Sequence, residues 1–258
     1  MEMTSYRPGT PSWVDVGIPD MDAAMAFYGG LFGWTFTEAS EEGGGYRNAL
    51  IGDKRIAGFG PQMNPGQPSW ATYIATADAD DTAAKVVAAG GQVIVPPMDV
   101  LDVGRMAVFA DDVGTVFSVW QAGTHPGAEL VNEPGTLTWN ELNTRKPDEA
   151  KVFYPAVFGW TSETTESPAM TYTQWYRDGD VIGGMVHMGD QFPPEVPNLW
   201  LVYFAVDDTD AAIAKVTELG GKALMGPVDI DAGRFAVVED TAEAAFAIIQ
   251  LAPQLAEG

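Results

Sequence analysis

The chain has 258 residues, with 13 basic side chains against 36 acidic ones, a formal net charge of −23, and no cysteine. The missing cysteine excludes disulfides, a thiolate nucleophile, sulfur-ligated zinc and iron–sulfur clusters. A surface this acidic, with no lysine or arginine cluster to offset it, repels phosphate backbones and anionic bilayers, so neither nucleic acid nor membrane is an expected partner. The same charge serves solubility or the attraction of a cationic ligand. The length exceeds the roughly 100–200 residues of an ordinary domain, which predicts two domains. The N-terminus lacks the pattern of a secretory signal and no stretch approaches the ~20 apolar residues of a membrane span, which predicts a cytoplasmic protein.

In chain order, Trp13 to Ile18 alternates as a strand. Asp20 caps a helix that carries Ala23, Ala24, Phe27 and Leu31 and stops at Gly33. Strands are predicted near 34–36, 46–51 and 55–60, with Gly52-Asp53 as a tight turn. Gly43 to Gly45 predicts a flexible loop over a cavity mouth. A proline- and glycine-rich stretch, Pro61 to Pro68, leads to a strand over 70–76. A second helix spans 80–89, with Ala83, Val86 and Val87 on its apolar side and Gly90-Gly91 as its stop. Strands near 92–95, 105–109 and 116–121 complete a unit that reads β-α-β-β-β twice.

The whole unit then recurs. Trp13 returns as Trp139, Phe27-Tyr28 as Phe153-Tyr154, and Phe32-Gly33-Trp34-Thr35 as Phe158-Gly159-Trp160-Thr161, all without a gap. Trp70 and Tyr73 return as Trp200 and Tyr203, Gly90-Gly91 as Gly220-Gly221, and Gly104-Arg105 as Gly233-Arg234. Ordered matches of this extent mark an internal duplication. The expected domains are 1–124 and 135–258, joined by a linker over 125–134. His125, inside that linker, is expected to be solvent-exposed.

The Phe-Tyr…Phe-Gly-Trp signature, followed by a strand, a helix and Gly-Gly, resembles the glyoxalase/bleomycin-resistance type of the vicinal oxygen chelate superfamily. The likeness is greatest to tandem-domain actinobacterial proteins of glyoxalase-like or hydroxylase-like kind. It implies an α+β fold in which four βαβββ modules pair into two domains with curved mixed sheets enclosing cavities. Metal-dependent members place four His, Gln or Glu ligands on equivalent strands. Here those places fall on Trp13 and Trp139, near Gly58 and Gly184, near Ala71 and Leu201, and on Ser118 and Ala247. None is a normal ligand of a divalent cation, so no metal and no other cofactor is expected. A relocated site using Asp15, Glu141 or His187 is the alternative.

Alternation puts Asp15 on the face of Trp13 and Glu141 on that of Trp139. Tyr73 likewise shares the face of Ala71, Tyr203 that of Leu201, and Ser118 that of Trp120. These residues predict a pocket for a bulky, flat, aromatic small molecule. Trp13, Trp139, Trp70, Trp200, Ser118 and Trp120 are its candidate binding residues, with core packing as the competing role of the four tryptophans on the first and middle strands. Asp15, Glu141, His187, Tyr73 and Tyr203 are its candidate acids, bases and oxyanion donors. The resulting expectation is a metal-independent, lyase- or cyclase-type tailoring enzyme of aromatic-polyketide-like natural products, working by an aldol, dehydration, cyclisation or ketal-type step. A protein that sequesters a drug without chemistry and an oxygenase with relocated metal ligands are the alternatives. A homodimer is the candidate assembly.

Overall fold

The computed structural model describes residues 1–63, 66–167 and 171–253; positions 64 and 65 of the proline- and glycine-rich stretch therefore lie outside the described residues. The first copy contains β1 (Pro11–Ile18), α1 (Met21–Phe32), β2 (Thr35–Phe36), β3 (Arg47–Ile51), β4 (Lys54–Pro61), β5 (Trp70–Ala75), α2 (Ala79–Ala88), β6 (Gln92–Val100), β7 (Gly104–Ala110) and β8 (Val116–Ala122). The second repeats it with β9 (Leu137–Thr144), α3 (Pro147–Phe158), β10 (Thr161–Glu166), β11 (Thr171–Arg177), β12 (Asp180–His187), β13 (Leu199–Ala205), α4 (Thr209–Glu218), β14 (Lys222–Ile230), β15 (Gly233–Glu239) and β16 (Ala245–Leu251). Among the described residues no helix is long and apolar enough to cross a membrane.

Local signals explain most of these limits. Asp20 accepts the amide of Ala23 at the start of α1, and Gly33 ends it at φ 73°, a left-handed value that suits glycine. The second helix starts at Ala79 rather than Asp80, capped by Asp78, whose carboxylate takes the free amides of both Asp80 and Asp81.

Each copy forms one eight-stranded mixed sheet, in the orders β2-β3-β4-β1-β5-β8-β7-β6 and β10-β11-β12-β9-β13-β16-β15-β14. The central contacts are β1 parallel to β4, β5 parallel to β8, and β1 antiparallel to β5. One face of each sheet packs on helices and on the other copy. The opposite face carries Asp15 or Glu141 and is called the carboxylate face below.

The helix-side cores are built across the duplication. Phe27 and Tyr28 of α1 pack on Phe246 of β16, and Phe153 and Tyr154 of α3 pack on Phe117 of β8. Thr72 donates a buried hydrogen bond to Asn140 where β5 meets β9 (2.8 Å). The signature residues lock this arrangement reciprocally. Tyr28 donates to Asp240 (2.9 Å) and Tyr154 to Asp111 (3.1 Å), while Trp34 donates to the Gly135 carbonyl and Trp160 to that of Gly9.

The segment between the copies is part of this structure rather than a loose tether. Ala128 donates to the Ser12 carbonyl, Glu129 to that of Arg55, and Leu130 bridges Glu2 of the N-terminal segment. Contrary to the expectation of an exposed side chain, His125 is buried, at 7% relative exposure.

Candidate functional site

Strand register assembles the same four groups in both copies. Asp15 lies beside Gly58 of β4 and Ala71 of β5, and Trp13 lies beside Tyr73, which lies beside Ser118 of β8. In the second copy Glu141 lies beside Gly184 and Leu201, Trp139 beside Tyr203, and Tyr203 beside Ala247. The places counted for metal ligands thus occupy two adjacent rows of the carboxylate face.

A second tyrosine, absent from the residues singled out by strand alternation, completes each set. Tyr46 donates to Asp15 Oδ2 (3.1 Å) and accepts the indole N–H of Trp13 (3.1 Å), while Tyr73 donates to the same Oδ2 (2.9 Å). Tyr172 accepts the indole N–H of Trp139 (3.1 Å) and hydrogen-bonds Glu141, which also accepts from Tyr203 (2.9 Å) and has Asn143 as a further partner. Tyr46 and Tyr172 stand at the same spacing as Trp13 and Trp139, so the ungapped repeat itself contained the signal.

Glycine makes room for these phenols. A Cβ on Gly58 would lie 1.6 Å from the Tyr46 hydroxyl, and one on Gly184 would lie 2.0 Å from that of Tyr172. The triple glycine delivers Tyr46. It forms a closed turn, with Gly44 and Gly45 at φ 65° and 91° and the Gly45 amide bonded to the Ser40 carbonyl, rather than the loose flap expected.

Burial dominates the electrostatics. Desolvation raises Asp15 to about 6 even though the Tyr73 and Tyr46 hydrogen bonds oppose it. It raises Glu141 to about 7 against the bonds from Tyr203, Tyr172 and Asn143. All four phenols are pushed upward by burial and by the neighbouring carboxylate, so they stay protonated as donors. Each site therefore holds one carboxyl group raised toward neutrality by burial among neutral phenolic donors.

This donor set does not fit a divalent cation. One carboxylate and two protonated phenols face each site, joined in the second copy by the neutral amide of Asn143, and a Tyr hydroxyl fills the space beside Gly58 or Gly184. Among the described residues no three His, Asp or Glu side chains gather as a metal cluster.

Several expected residues lie elsewhere. Trp70 is in register with Val16, on the helix side, and donates to Tyr28; Trp200 does the same to Tyr154. They are core residues, because Trp70 and Tyr73 are three apart on a strand and point to opposite faces. His187 is in register with Thr144, one residue out of phase with the face of Glu141 and Asn143, and is exposed. Trp120 does face the carboxylate side, where its indole N–H is bonded to the His125 carbonyl (2.8 Å).

Comparison with known proteins agrees with this architecture. A family model described as "Glyoxalase/Bleomycin resistance protein/Dioxygenase superfamily" matches residues 10–119 and 136–248. The chain is 45% identical to "Putative glyoxylase CFP32" of Mycobacterium tuberculosis, over 97% of this chain and 98% of that one. It is 39% identical to "Anthracycline biosynthesis protein DnrV" of Streptomyces peucetius, over 96% of both. Among solved structures, an Mn(II)-bound glyoxalase from Novosphingobium aromaticivorans superposes with a TM-score of 0.67 at 17% identity, covering 95% of this chain and 82% of that one. The 2,3-dioxygenase LapB from Pseudomonas sp. KL28 gives 0.66 at 15% identity, covering 95% and 93%. With two matched segments covering most of its length, the chain belongs to the glyoxalase/bleomycin resistance protein/dioxygenase superfamily, as an internally duplicated member.

Proposed function

We propose that this protein is a metal-independent tailoring enzyme acting on bulky aromatic, polyketide-like small molecules by acid–base catalysis. The observation that carries the reading is the buried carboxylate, held by two phenols with an indole N–H behind one of them, on the strands where the superfamily's metal-dependent members carry their ligands. The relationship to anthracycline biosynthesis proteins supports the substrate class.

The chemistry follows from the groups present. Ionised Glu141 takes a proton from the carbon next to a substrate carbonyl, and the electron pair moves onto the carbonyl oxygen. Once protonated, Glu141 no longer needs both phenolic donors. One of them, Tyr172 or Tyr203, is then free to turn its hydroxyl toward the new enolate oxygen. The enolate closes on a second carbonyl or expels a β-hydroxyl, and Glu141 returns the proton to the departing or newly formed oxygen. Proton transfer of this kind contributes roughly 10²–10⁴-fold.

Incubating the protein with an aromatic polyketone in D2O tests this. Deuterium should enter the acidic carbon, or a ring-closed or dehydrated product should form, at rates Glu141→Gln lowers by about 10²-fold or more. Undiminished turnover in both Glu141→Gln and Asp15→Asn would remove the acid–base role. Tight binding with no change in the bound molecule would favour the sequestering reading, which the net charge of −23 suits for a cationic drug.

A further inference from the structure

His125 stands on the carboxylate face of the first copy and is not used by the chemistry proposed above. Its ring meets Trp13 edge-on, with centroids 4.5 Å apart at 89°, and Trp120 at 5.5 Å and 61°. Both ring nitrogens are buried and neither has a hydrogen-bond partner. A flat ring between two indoles is how such a face would hold a foreign aromatic ligand.

The backbone pins the imidazole there. The His125 amide donates to the Val103 carbonyl (3.1 Å), and Trp120 binds the His125 carbonyl from the other side. Two residues on, a Cβ at Gly127 would come within 2.4 Å of the Ser12 carbonyl, so the chain passes too close for any other residue. Glu129 then clasps Arg55 (2.7 Å). The cost of two unpaired nitrogens is unnecessary for packing alone, because an apolar ring would fill the slot without it.

The second copy differs at this place. Ile249 replaces Trp120, and Trp139 is half-buried where Trp13 is 3% exposed. Around Tyr203, Ala247 and Ile249 the apolar side chains of Leu199, Phe235 and Leu251 are only partly covered. Tyr203 of this cluster donates to Glu141 (2.9 Å).

We infer that His125 is a built-in occupant of the first copy, its imidazole holding the place of a ligand ring between Trp13 and Trp120, and that the second copy, in which no ring among the described residues takes that place, binds a foreign aromatic ligand there. The first half stands on the packing alone. The second rests on the function proposed above.

His125→Ala tests the first half by emptying the slot. Millimolar imidazole or indole should raise the Tm of this variant by several degrees through binding to the native state, with no such rise in the wild type or in His125→Phe. If the variant does not fold unaided, its refolding yield with and without imidazole reads the same rescue. A folded His125→Ala protein indifferent to both compounds, or an unfolded one they do not recover, overturns the inference.

The second half is read with 2-naphthol. The wild type and His125→Phe should each bind one molecule per chain, shifting the Trp139 indole N–H resonance, and Trp139→Ala should lose it. Perturbation of Trp13 instead would overturn the assignment to the second copy. Absence of any 2-naphthol binding would remove the aromatic pocket proposed there, while the imidazole rescue would still decide the role of His125 by itself.

Discussion

At the scale of single residues, the two buried carboxylates each tie stability to pH. Folding raises Glu141 to about 7, so the folded state holds this proton more tightly than the unfolded chain does. The stability linked to that proton is fully present below the ordinary carboxylate range and is lost as pH rises through about 7. Asp15 acts in the same direction over a window that ends near 6. Glu141→Gln should therefore change little at pH 4 and gain stability over the wild type at pH 8. Urea midpoints of the two proteins at both pH values check the sign, and a larger gain at pH 4 would contradict it.

Glycine at 184 is a second residue-scale device. Gly184→Ala places a methyl carbon 2.0 Å from the Tyr172 hydroxyl and 3.0 Å from the Trp139 indole nitrogen, so the phenol must leave Glu141. With one donor gone, the acid limb of the pH–rate profile should move upward while the far-UV spectrum stays that of the wild type. Gly58→Ala should do the same to Tyr46 and Asp15 in the first copy, where the clash is closer, at 1.6 Å.

At the scale of elements, two turns carry the reciprocal locks. Asp111 Oδ1 accepts the amides of Val113 and Thr115 in the β7–β8 turn, leaving Oδ2 for Tyr154 of α3. Asp240 does the same with Ala242, Ala244 and Tyr28. Glu243 even takes a φ of 67° where the first copy has Gly114 at 91°, which shows that the turn geometry is kept under a different residue. Tyr28→Phe leaves Asp240 Oδ2 and the Trp70 indole N–H without their shared buried partner. It should cost about 1–3 kcal/mol, read by urea unfolding, with no effect on the pH profile of turnover.

At the scale of the whole molecule, the two sheets follow the repeat but the cores do not. Phe27, Tyr28 and Trp34 of the first copy pack with Phe204 and Phe246 of the second, and Phe153, Tyr154 and Trp160 of the second share a core with Ile74, Phe109 and Phe117 of the first. A chain cut to residues 1–134 would expose these aromatic surfaces. It should lack a cooperative thermal transition by calorimetry, and regain one when mixed with residues 135–258. A fully cooperative isolated half would show that the copies are independent domains.

How much of this was legible depends on the range of the interactions involved. Caps, stops and strand alternation act within a few residues, so the four modules, the α1 limits and the pairing of Asp15 with Trp13 and of Tyr73 with Ala71 on a strand face could be read from the chain, while strand register joined the two sets. The spacing of the repeat also contained Tyr46 and Tyr172, but only strand pairing shows that a ring from the residue before β3, or from β11, crosses a glycine and reaches the carboxylate. Trp70 and Trp200 misled because an indole suits a pocket wall and a core equally, and only its partners distinguish them. His125 misled for a similar reason: a glycine- and proline-rich stretch reads as solvated, yet hydrogen bonds to Val103, Ser12 and Arg55 draw it inward.

Residue identity and spacing suffice for the duplication and the mixed α+β class, and the family resemblance adds the expectation that Trp13, Gly58, Ala71 and Ser118, with their counterparts in the second copy, stand where metal ligands would be. Folding in three dimensions was needed to establish that each carboxylate is desolvated among phenols, that the helices cross between copies, and that one histidine is buried while the other is exposed. These outcomes depend on which distant segments exclude water from a given side chain, and no local pattern encodes that.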